Sequence, residues 1–267
     1  MTAVAAPARP GYATAAWRAF LLQVALYKHI WHGTVFSTVM LPILYMVSIG
    51  IGVGAYIDGA SLGGVTYAEF IAPGLICSVS VMMLGNDMVY PVFGGYREWG
   101  GSYLAQRATP LRPVDILNGH LLYAVVFRPL SGCTVVAVVL AFFGVYASAW
   151  GALAVVAAVF VSASVAPWVF AWCSSLKNDA MLNAVFRFAI MPITLFSGVF
   201  FPAERMPVFL QPLVWLSPLW HGTELARAAT ADVTPALPPI AHLAYLVLLA
   251  IGGWYVARRV IVQRLSF

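Results

Sequence analysis

Charged residues are scarce in this chain of 267 residues: only 9% are Asp, Glu, Lys or Arg, whereas 62% are hydrophobic. A soluble domain is ordinarily about half apolar and about a quarter charged, so this composition argues against a soluble globular protein. Lysine occurs only as Lys28 and Lys177, and neither follows a glycine. Because a P-loop needs a lysine directly after glycine, the chain has no Walker-type nucleotide site of its own.

Catalytic and metal-binding motifs are also missing from the sequence. It contains no GxSxG, HExxH or CxxC pattern, which leaves hydrolase and metalloprotease chemistry without support. The three cysteines, Cys77, Cys133 and Cys173, fall in separate apolar segments and are expected to be buried free thiols. We therefore expect no catalytic residues, no metal site and no cofactor held by this chain.

Long apolar runs are abundant, and six of them are long enough to cross a hydrocarbon core of about 30 Å. They predict an all-α, multi-pass membrane protein with spans near 35–54, 70–93, 116–142, 150–172, 183–201 and 239–257. The chain then divides into an N-terminal segment (1–34), a transmembrane domain (35–257) and a tail (258–267).

The distribution of basic residues predicts the orientation of these spans. With both termini in the cytoplasm, only Arg205 and Arg227 fall outside, among several acidic residues. The basic residues placed inside are Arg9, Arg18, Lys28, Arg97, Arg107, Arg112, Lys177, Arg258, Arg259 and Arg264. This asymmetry follows the positive-inside rule, so the net charge of +5 reflects topology rather than nucleic-acid binding. We expect a plasma (inner) membrane protein with cytoplasmic termini.

Residues 14–33 carry apolar side chains at helical spacing before the first predicted span. The apolar set is Trp17, Phe20, Leu21, Val24, Tyr27 and Trp31, with Arg18, Lys28 and His32 between its members. The pattern favours an amphipathic helix in the cytoplasmic interface, where it would contact membrane lipids. The alternative is an extended start of the first span.

Three charged residues lie within predicted spans: Asp87, Arg128 and Arg187. Charges in a membrane interior are costly and need a partner or water. Asp87 and Arg128 are at similar distances from the middle of the loop between spans 2 and 3, so we expect them to pair. Arg187 is one turn into its span and is expected to reach the cytoplasmic interface.

The outer segment 202–238 is apolar but interrupted by Pro207, Pro212 and Pro218. It predicts short re-entrant helices, the last beginning at Pro218 with Ser217 as its N-cap. His221, Glu224 and Arg227 follow at three-residue spacing on one face of that helix. They form either a polar cluster that fixes the helix or a contact with substrate.

The longest polar stretch, 96–119, separates spans 2 and 3 and contains a loop over 96–115. It includes Arg97–Leu104 (REWGGSYL), then ATPLR at 108–112 and ILNG at 116–119. LFSGVFFP at 195–202, MP at 206–207, LSPLWHG at 216–222 and ELAR at 224–227 form a second set. Together these motifs resemble the ABC-2 type permeases, and the PLWHG form is most similar to nodulation-factor and daunorubicin-resistance exporter permeases. Gly101-Ser102 and Ala105-Gln106-Arg107 depart from the family pattern.

This resemblance implies a half-transporter: two permease chains, expected to be identical, on two ATPase subunits that supply ATP and Mg²⁺ chemistry. It also implies a coupling helix in the 96–115 loop, and the residues assigned to ATPase coupling are Arg97, Glu98, Tyr103, Leu104 and Arg107. The aromatic-rich, charge-poor spans favour export of a hydrophobic or amphipathic substrate such as a lipid, a drug-like molecule or a glycolipid.

Two alternatives to this function stay open. One is a polysaccharide or oligosaccharide exporter of the same family. The other is an integral-membrane enzyme using Asp87, His120, His221 and Glu224, which is disfavoured because the two histidines are predicted on opposite sides of the membrane.

Overall fold

The computed structural model of the protein describes residues 11–57, 62, 64–97, 101–146, 149–231 and 234–265, and their regular structure is entirely helical. We number the helices as α1 Tyr12–Tyr56, α2 Tyr67–Gly95, α3 Ser102–Arg107, α4 Pro113–Ala141, α5 Leu153–Ser175, α6 182–195, α7 Gln211–Trp215, α8 Pro218–Thr230 and α9 Pro239–Leu265. Short 3₁₀ turns at Ala149–Ala152, Asp179–Met181 and Ala203–Arg205 precede α5, α6 and α7.

Local sequence signals explain where several helices begin. The Thr66 hydroxyl accepts from the Glu69 amide, and the Glu69 carboxylate accepts from the Thr66 amide at 2.6 Å, which forms a capping box before α2. Pro113, Pro218 and Pro239 occupy the first positions of α4, α8 and α9, where a missing N–H costs nothing.

Five of these helices are long and apolar enough to cross a membrane: α1, α2, α4, α5 and α9. The sixth predicted span, 183–201, contains helical segments of only four, five and five residues, which together make α6. At 1.5 Å per residue α6 is about 21 Å long, shorter than the hydrocarbon core. The chain leaves the helix at Phe196, and Gly198 adopts a left-handed φ of 68°. Five spans are thus supported by helix length, and the sixth stays a prediction.

The first helix differs from the predicted division at residue 34. Regular α-helix runs without interruption from Tyr12 to Tyr45 and continues to Tyr56 as wider and tighter turns. Its N-terminal half packs against α4, with Ala19 so close to Gly119 that a Cβ there would meet it at 2.5 Å. Residues 14–33 are therefore continuous with the first span, because no residue between 12 and 45 breaks the helix.

The interior of the bundle is formed mainly by α2 and α5, whereas α1 and α9 expose most of their apolar residues at the perimeter. The short helix α8 packs against α2, α5 and α9. Gly222 of α8 lies so close to α5 that an added Cβ would be 2.0 Å from Val161 Cγ2. The outer helix is thus part of the bundle core.

Wide, π-type turns interrupt four helices, at Met46–Val53, Gly85–Val89, Tyr123–Phe127 and Phe186–Ile190. Such turns shift the register of a helix and release backbone carbonyls for other partners. Asp87 lies inside the second of them and Arg128 directly follows the third, so both charges occur where the helical ladder is disturbed.

Candidate coupling site

The short helix α3 lies between the ends of α2 and α4 and exposes one face. Gly101, with a left-handed φ of 41°, precedes it, and a turn at Ala108–Pro110 ends it. Leu104 and Arg107 are exposed on this helix. Glu98, which the sequence assigns to the same contact, lies outside the described residues.

Tyr103 faces the other way and is completely buried. Its ring packs against Gly95, where a Cβ would be 2.7 Å from Cδ2, and it makes an edge contact with Tyr96 at 5.0 Å between centroids. The Tyr103 side chain therefore anchors α3 to the bundle, and the structure does not place it on the exposed face with Leu104 and Arg107.

The hydroxyl of Tyr103 is 2.6 Å from His120 Nδ1, and His120 Nε2 is 3.0 Å from the main-chain carbonyl of Asp87. A carbonyl oxygen only accepts, so Nε2 carries the proton and donates to Asp87. In the neutral ring Nδ1 is then an acceptor, and Tyr103 donates to it. His120 thus joins the coupling helix to the wide turn of α2.

The predicted contact between Asp87 and Arg128 is present in the structure. Arg128 Nε donates to Asp87 Oδ2 at 2.6 Å, and the arginine is 1% exposed. The guanidinium also lies over the Tyr27 ring of α1 at 4.5 Å. A continuous series of contacts therefore runs from Tyr103 through His120, Asp87 and Arg128 to Tyr27, and we call these five residues the polar chain.

Arg97 lies just after the end of α2 and is partly buried. The sequence predicts that this end of the bundle faces the cytoplasm. Its guanidinium lies 4.8 Å from the Phe93 ring centroid and donates to the carbonyl of Lys177, at the end of α5. The neighbouring Tyr96 hydroxyl is 3.2 Å from Ser174 Oγ, and Arg264 of α9 lies over the Tyr96 ring at 4.9 Å. These contacts join the end of α2 to the ends of α5 and α9.

Burial keeps both tyrosines of this region protonated. It raises the pKa of Tyr96 to about 12 and the pKa of Tyr103 well above the ordinary value of 10. Both hydroxyls therefore stay protonated at any physiological pH. Tyr103 keeps the hydrogen that it donates to His120.

The outer cluster predicted from His221, Glu224 and Arg227 is divided by the structure. Arg227 donates to Glu224 Oε1 at 3.2 Å, to the Gly198 carbonyl at 2.7 Å and to the Phe70 carbonyl at 3.1 Å. Burial lowers the pKa of Arg227 to about 10, so it stays charged near neutral pH. Arg227 therefore connects α8 to α2 and to the irregular backbone after α6. There it donates to the Gly198 and Val199 carbonyls, which lie outside any helix.

His221 makes different contacts from the other two. Its Nδ1 is 2.8 Å from Nδ1 of His242 on α9, and its Nε2 is 2.9 Å from the Trp215 carbonyl. Desolvation lowers the pKa of His221 to about 4, so it is neutral. The Ser217 hydroxyl, predicted to cap α8, instead lies 2.5 Å from Ser197 Oγ and makes no capping bond.

Arg187 of α6 is exposed and forms no hydrogen bond or ion pair within the described part of the chain. Among those residues no group of three His, Cys, Asp or Glu is placed to hold a metal ion, and the three cysteines are buried and free.

The sequence did not predict that His120 links α3 to α2. It also did not predict the contact of His242 with His221 or that of Tyr27 with Arg128. A histidine within an apolar span is a signal for the first two, since a buried imidazole needs hydrogen-bond partners. The partner of each depends on how the helices pack, which spacing along the chain does not indicate.

Comparison with known proteins agrees with this architecture. Nodulation protein J of Neorhizobium galegae is 26% identical over 259 residues, covering 94% of this chain and 93% of that protein. Nodulation protein J of Sinorhizobium fredii is 25% identical over 264 residues, covering 97% and 96%. The inner membrane transport permease YadH of Escherichia coli is 27% identical over 201 residues, covering 74% and 75%. The family model for the ABC-2 type transporter matches residues 12–230. With a bundle of membrane-length helices and a family match over most of its length, the chain belongs to the ABC-2 type transporter family and is an integral membrane permease.

Proposed function

We propose that this chain is the permease subunit of an ABC exporter, which moves a hydrophobic or amphipathic substrate across the plasma membrane with ATP hydrolysed by a separate ATPase. The observation that carries the proposal is the polar chain. It connects an exposed short helix at one end of the bundle to three membrane-length helices.

The two faces of α3 suit a docking helix. Tyr103 and Gln106 are buried against the bundle, whereas Leu104 and Arg107 are exposed and form no polar contact with the described residues. An apolar side chain beside a cation is a surface that a partner protein can bind. Arg97 and Glu98, at the end of α2, are the further charges we assign near this contact.

The polar chain supports transmission of movement from α3 into the bundle. Tyr103 is part of α3 and moves with it. Because its ring fills the space beside Gly95 and its hydroxyl is bonded to His120, a displacement of α3 acts on α2 and α4. Through the Asp87 carbonyl the same displacement acts on α2 at its wide turn. Packed interfaces transmit small shifts as rigid-body motions, which is what coupling to ATP hydrolysis requires.

The exposed surface of α6 supports assembly of two identical permease chains on two ATPases. Phe188, Met191 and Phe196 are exposed there, next to the unpaired Arg187. Exposed aromatic and methionine side chains beside an arginine are typical of a surface that a second copy of this chain can cover. The charge asymmetry of the sequence supports cytoplasmic termini, and we propose the plasma membrane as the location.

The proposed cargo class rests on the aromatic-rich, charge-poor spans of the sequence. A cavity of about 140 Å³ between α1, α2 and α6 has room for only part of such a molecule. Its wall mixes hydroxyl and amide groups with apolar side chains, which suits a molecule that is apolar with a few polar groups. The polar members are Ser37, Thr38, Ser78, Asn86 and Thr194. An oligosaccharide, the alternative cargo, is distinguished from a lipid or drug by the assay below.

The enzymatic alternative gains no support from the geometry. Both ring nitrogens of His120 are engaged, by Tyr103 and by the Asp87 carbonyl, and neither is available to a substrate. His221 and Glu224 have other partners, on α9 and α8.

The test is co-purification of the permease with its partner ABC ATPase. We expect the double variant Leu104→Glu/Arg107→Glu to recover about tenfold less ATPase, because charge repulsion replaces a contact worth about 1.4 kcal/mol. Arg205→Glu is the matched control, since Arg205 is exposed on the outer segment. Unchanged ATPase recovery by the double variant would refute the docking assignment.

The same complex, reconstituted in vesicles, identifies the cargo class. We expect ATP hydrolysis to rise with a lipid, a drug-like amphiphile or a glycolipid. Stimulation by oligosaccharides alone would replace the proposed cargo with the alternative.

A further inference from the structure

A second cavity, of about 470 Å³, lies between α1 and α4 and is almost entirely apolar in its lining. It is open at the perimeter of the bundle, since Trp31 and Val135 in its wall are both exposed. A neighbouring cavity of about 440 Å³ shares Phe127 and Ser131 with it. Two apolar recesses thus lie on either side of the Phe127 ring, along the contact between two membrane-length helices.

Two cationic side chains line the first recess, Lys28 of α1 and Arg128 of α4. Lys28 is exposed and forms no hydrogen bond or ion pair with the described residues. Arg128 is buried and uses Nε for Asp87, while its Nη2 has no hydrogen-bond partner in the described residues. The Arg128 guanidinium therefore adds a buried positive charge to the wall of the recess, whereas Lys28 provides the accessible cation.

We propose that this recess, which we call the α1–α4 groove, is a binding site for an anionic phospholipid of the surrounding bilayer. Its phosphate is held at Lys28, and its acyl chains fill the recesses beside Phe127. Basic pockets between membrane helices are the sites that anionic headgroups recognise. The inference does not depend on export activity or on an ATPase.

The dimensions of the groove fit such a molecule. Along α1 its lining runs from Val24 to Val39, fifteen residue steps or about 22 Å of helix. The cation Lys28 lies about one turn from the Val24 end of this length, and the other end is lined by Val35, Val39 and Val135. A charged head followed by a long apolar body is the shape of a phospholipid, whereas a small inorganic anion would leave the apolar length unfilled.

The position of the groove gives the lipid a structural consequence. Arg128 and Tyr27, which both line it, are the last two members of the polar chain. A phosphate at this point would neutralise Lys28 on the α1 side of the groove and place a lipid along the contact between α1 and α4.

The experiment is native mass spectrometry of the purified permease, without any ATPase, after exchange into mixtures of phosphatidylglycerol and phosphatidylcholine. We expect phosphatidylglycerol to be retained in preference to phosphatidylcholine, and we expect Lys28→Gln to lower its retention at least threefold. Lys177→Gln removes the same charge at an exposed position outside the groove and should retain the lipid like the parent chain. Equal retention of the two lipids by the parent chain would overturn the proposal.

A second variant tests the groove independently of charge. Val135→Trp places a bulky ring in the recess from an exposed position, so it should reduce phosphatidylglycerol retention without unfolding the chain. Retention by both Lys28→Gln and Val135→Trp at the level of Lys177→Gln would refute the site. Release of the bound lipid upon ATP hydrolysis in the complex with an ATPase would mark it as cargo and refute its assignment as a resident lipid.

Discussion

Asp87 and Arg128 show how a single residue pair holds two charges inside an apolar bundle. The Arg128 Nε to Asp87 Oδ2 distance is 2.6 Å, and both side chains are buried. Each charge therefore neutralises the other. Removing one partner leaves an uncompensated buried charge, which costs about 3–5 kcal/mol, whereas removing both is less damaging.

We therefore expect Arg128→Ala to lower the melting temperature of the purified permease strongly and Asp87→Ala/Arg128→Ala to lower it less. Thermal unfolding in detergent, followed by tryptophan fluorescence, measures both variants. A double variant as unstable as the single one would show that the two side chains do not stabilise each other.

His221 gives a prediction of pH dependence. Its pKa is about 4 in the folded chain and near 6.5 in an unfolded chain. Between these values the unfolded chain takes up a proton that the folded chain does not, so stability falls as the pH is lowered from about 6.5 toward 4.

We expect the melting temperature of the parent chain to fall by roughly 3 °C more per pH unit in this window than that of His221→Gln. Gln keeps a donor for the Trp215 carbonyl but does not titrate, so it is the matched variant. If the melting temperatures of the two chains changed equally with pH between 6.5 and 4.5, the assignment of His221 as neutral and buried would be contradicted.

Three buried pairs differ in how far the sequence could predict them. Asp87 and Arg128 are the charges inside the predicted spans of one helical hairpin, at similar distances from the middle of its loop, so their pairing follows from chain geometry. The contact between Tyr103 and His120 depends on α3 folding back against α2 and α4, and a tyrosine in a polar loop has the pattern of an interfacial residue. His221 and His242 are on separate helices, and only packing brings them together.

At the scale of elements, the hydropathy pattern predicted five membrane-length helices but not their ends. It measures the length of an apolar run and does not respond to backbone conformation. The run over 183–201 is mostly apolar, with Arg187 as its one charge. The helix nevertheless stops at Leu195, and the chain then turns through Gly198 in a left-handed conformation. The first helix shows the converse: the polar residues before residue 35 suggested a separate element, but regular helix continues through them.

The close approach of α8 to α5 gives a prediction at the same scale. Gly222 faces Val161, and an added side chain would overlap it. We expect Gly222→Leu to destabilise the chain by about 1–3 kcal/mol or more through overpacking, whereas Ala228→Leu, on a partly exposed position of α8, should have a smaller effect. Thermal unfolding distinguishes them, and equal stability of the two variants would mean that α8 does not pack into the bundle at Gly222.

For the whole molecule, the structure has a buried centre of α2 and α5, a perimeter of α1 and α9, and an exposed helix α3 at one end. The sequence motifs of the polar loop and the outer segment predicted the family, and the family match over residues 12–230 confirms it. Those motifs did not indicate how α3 is attached. Tyr103 belongs to the motif REWGGSYL, whereas its partner His120 lies outside the motifs, directly after ILNG. The polar chain is therefore a structural finding, and the docking role of α3 is the claim that depends on it.

Cysteine cross-linking to the ATPase in membrane vesicles tests that claim most directly. The three native cysteines are buried, so a single introduced thiol reports its own position. We predict that Leu104→Cys cross-links to the ATPase through a short thiol-to-amine reagent, and that Val208→Cys, which is even more exposed and lies on the segment 202–238, does not. Cross-linking from Val208→Cys but not from Leu104→Cys would contradict the account.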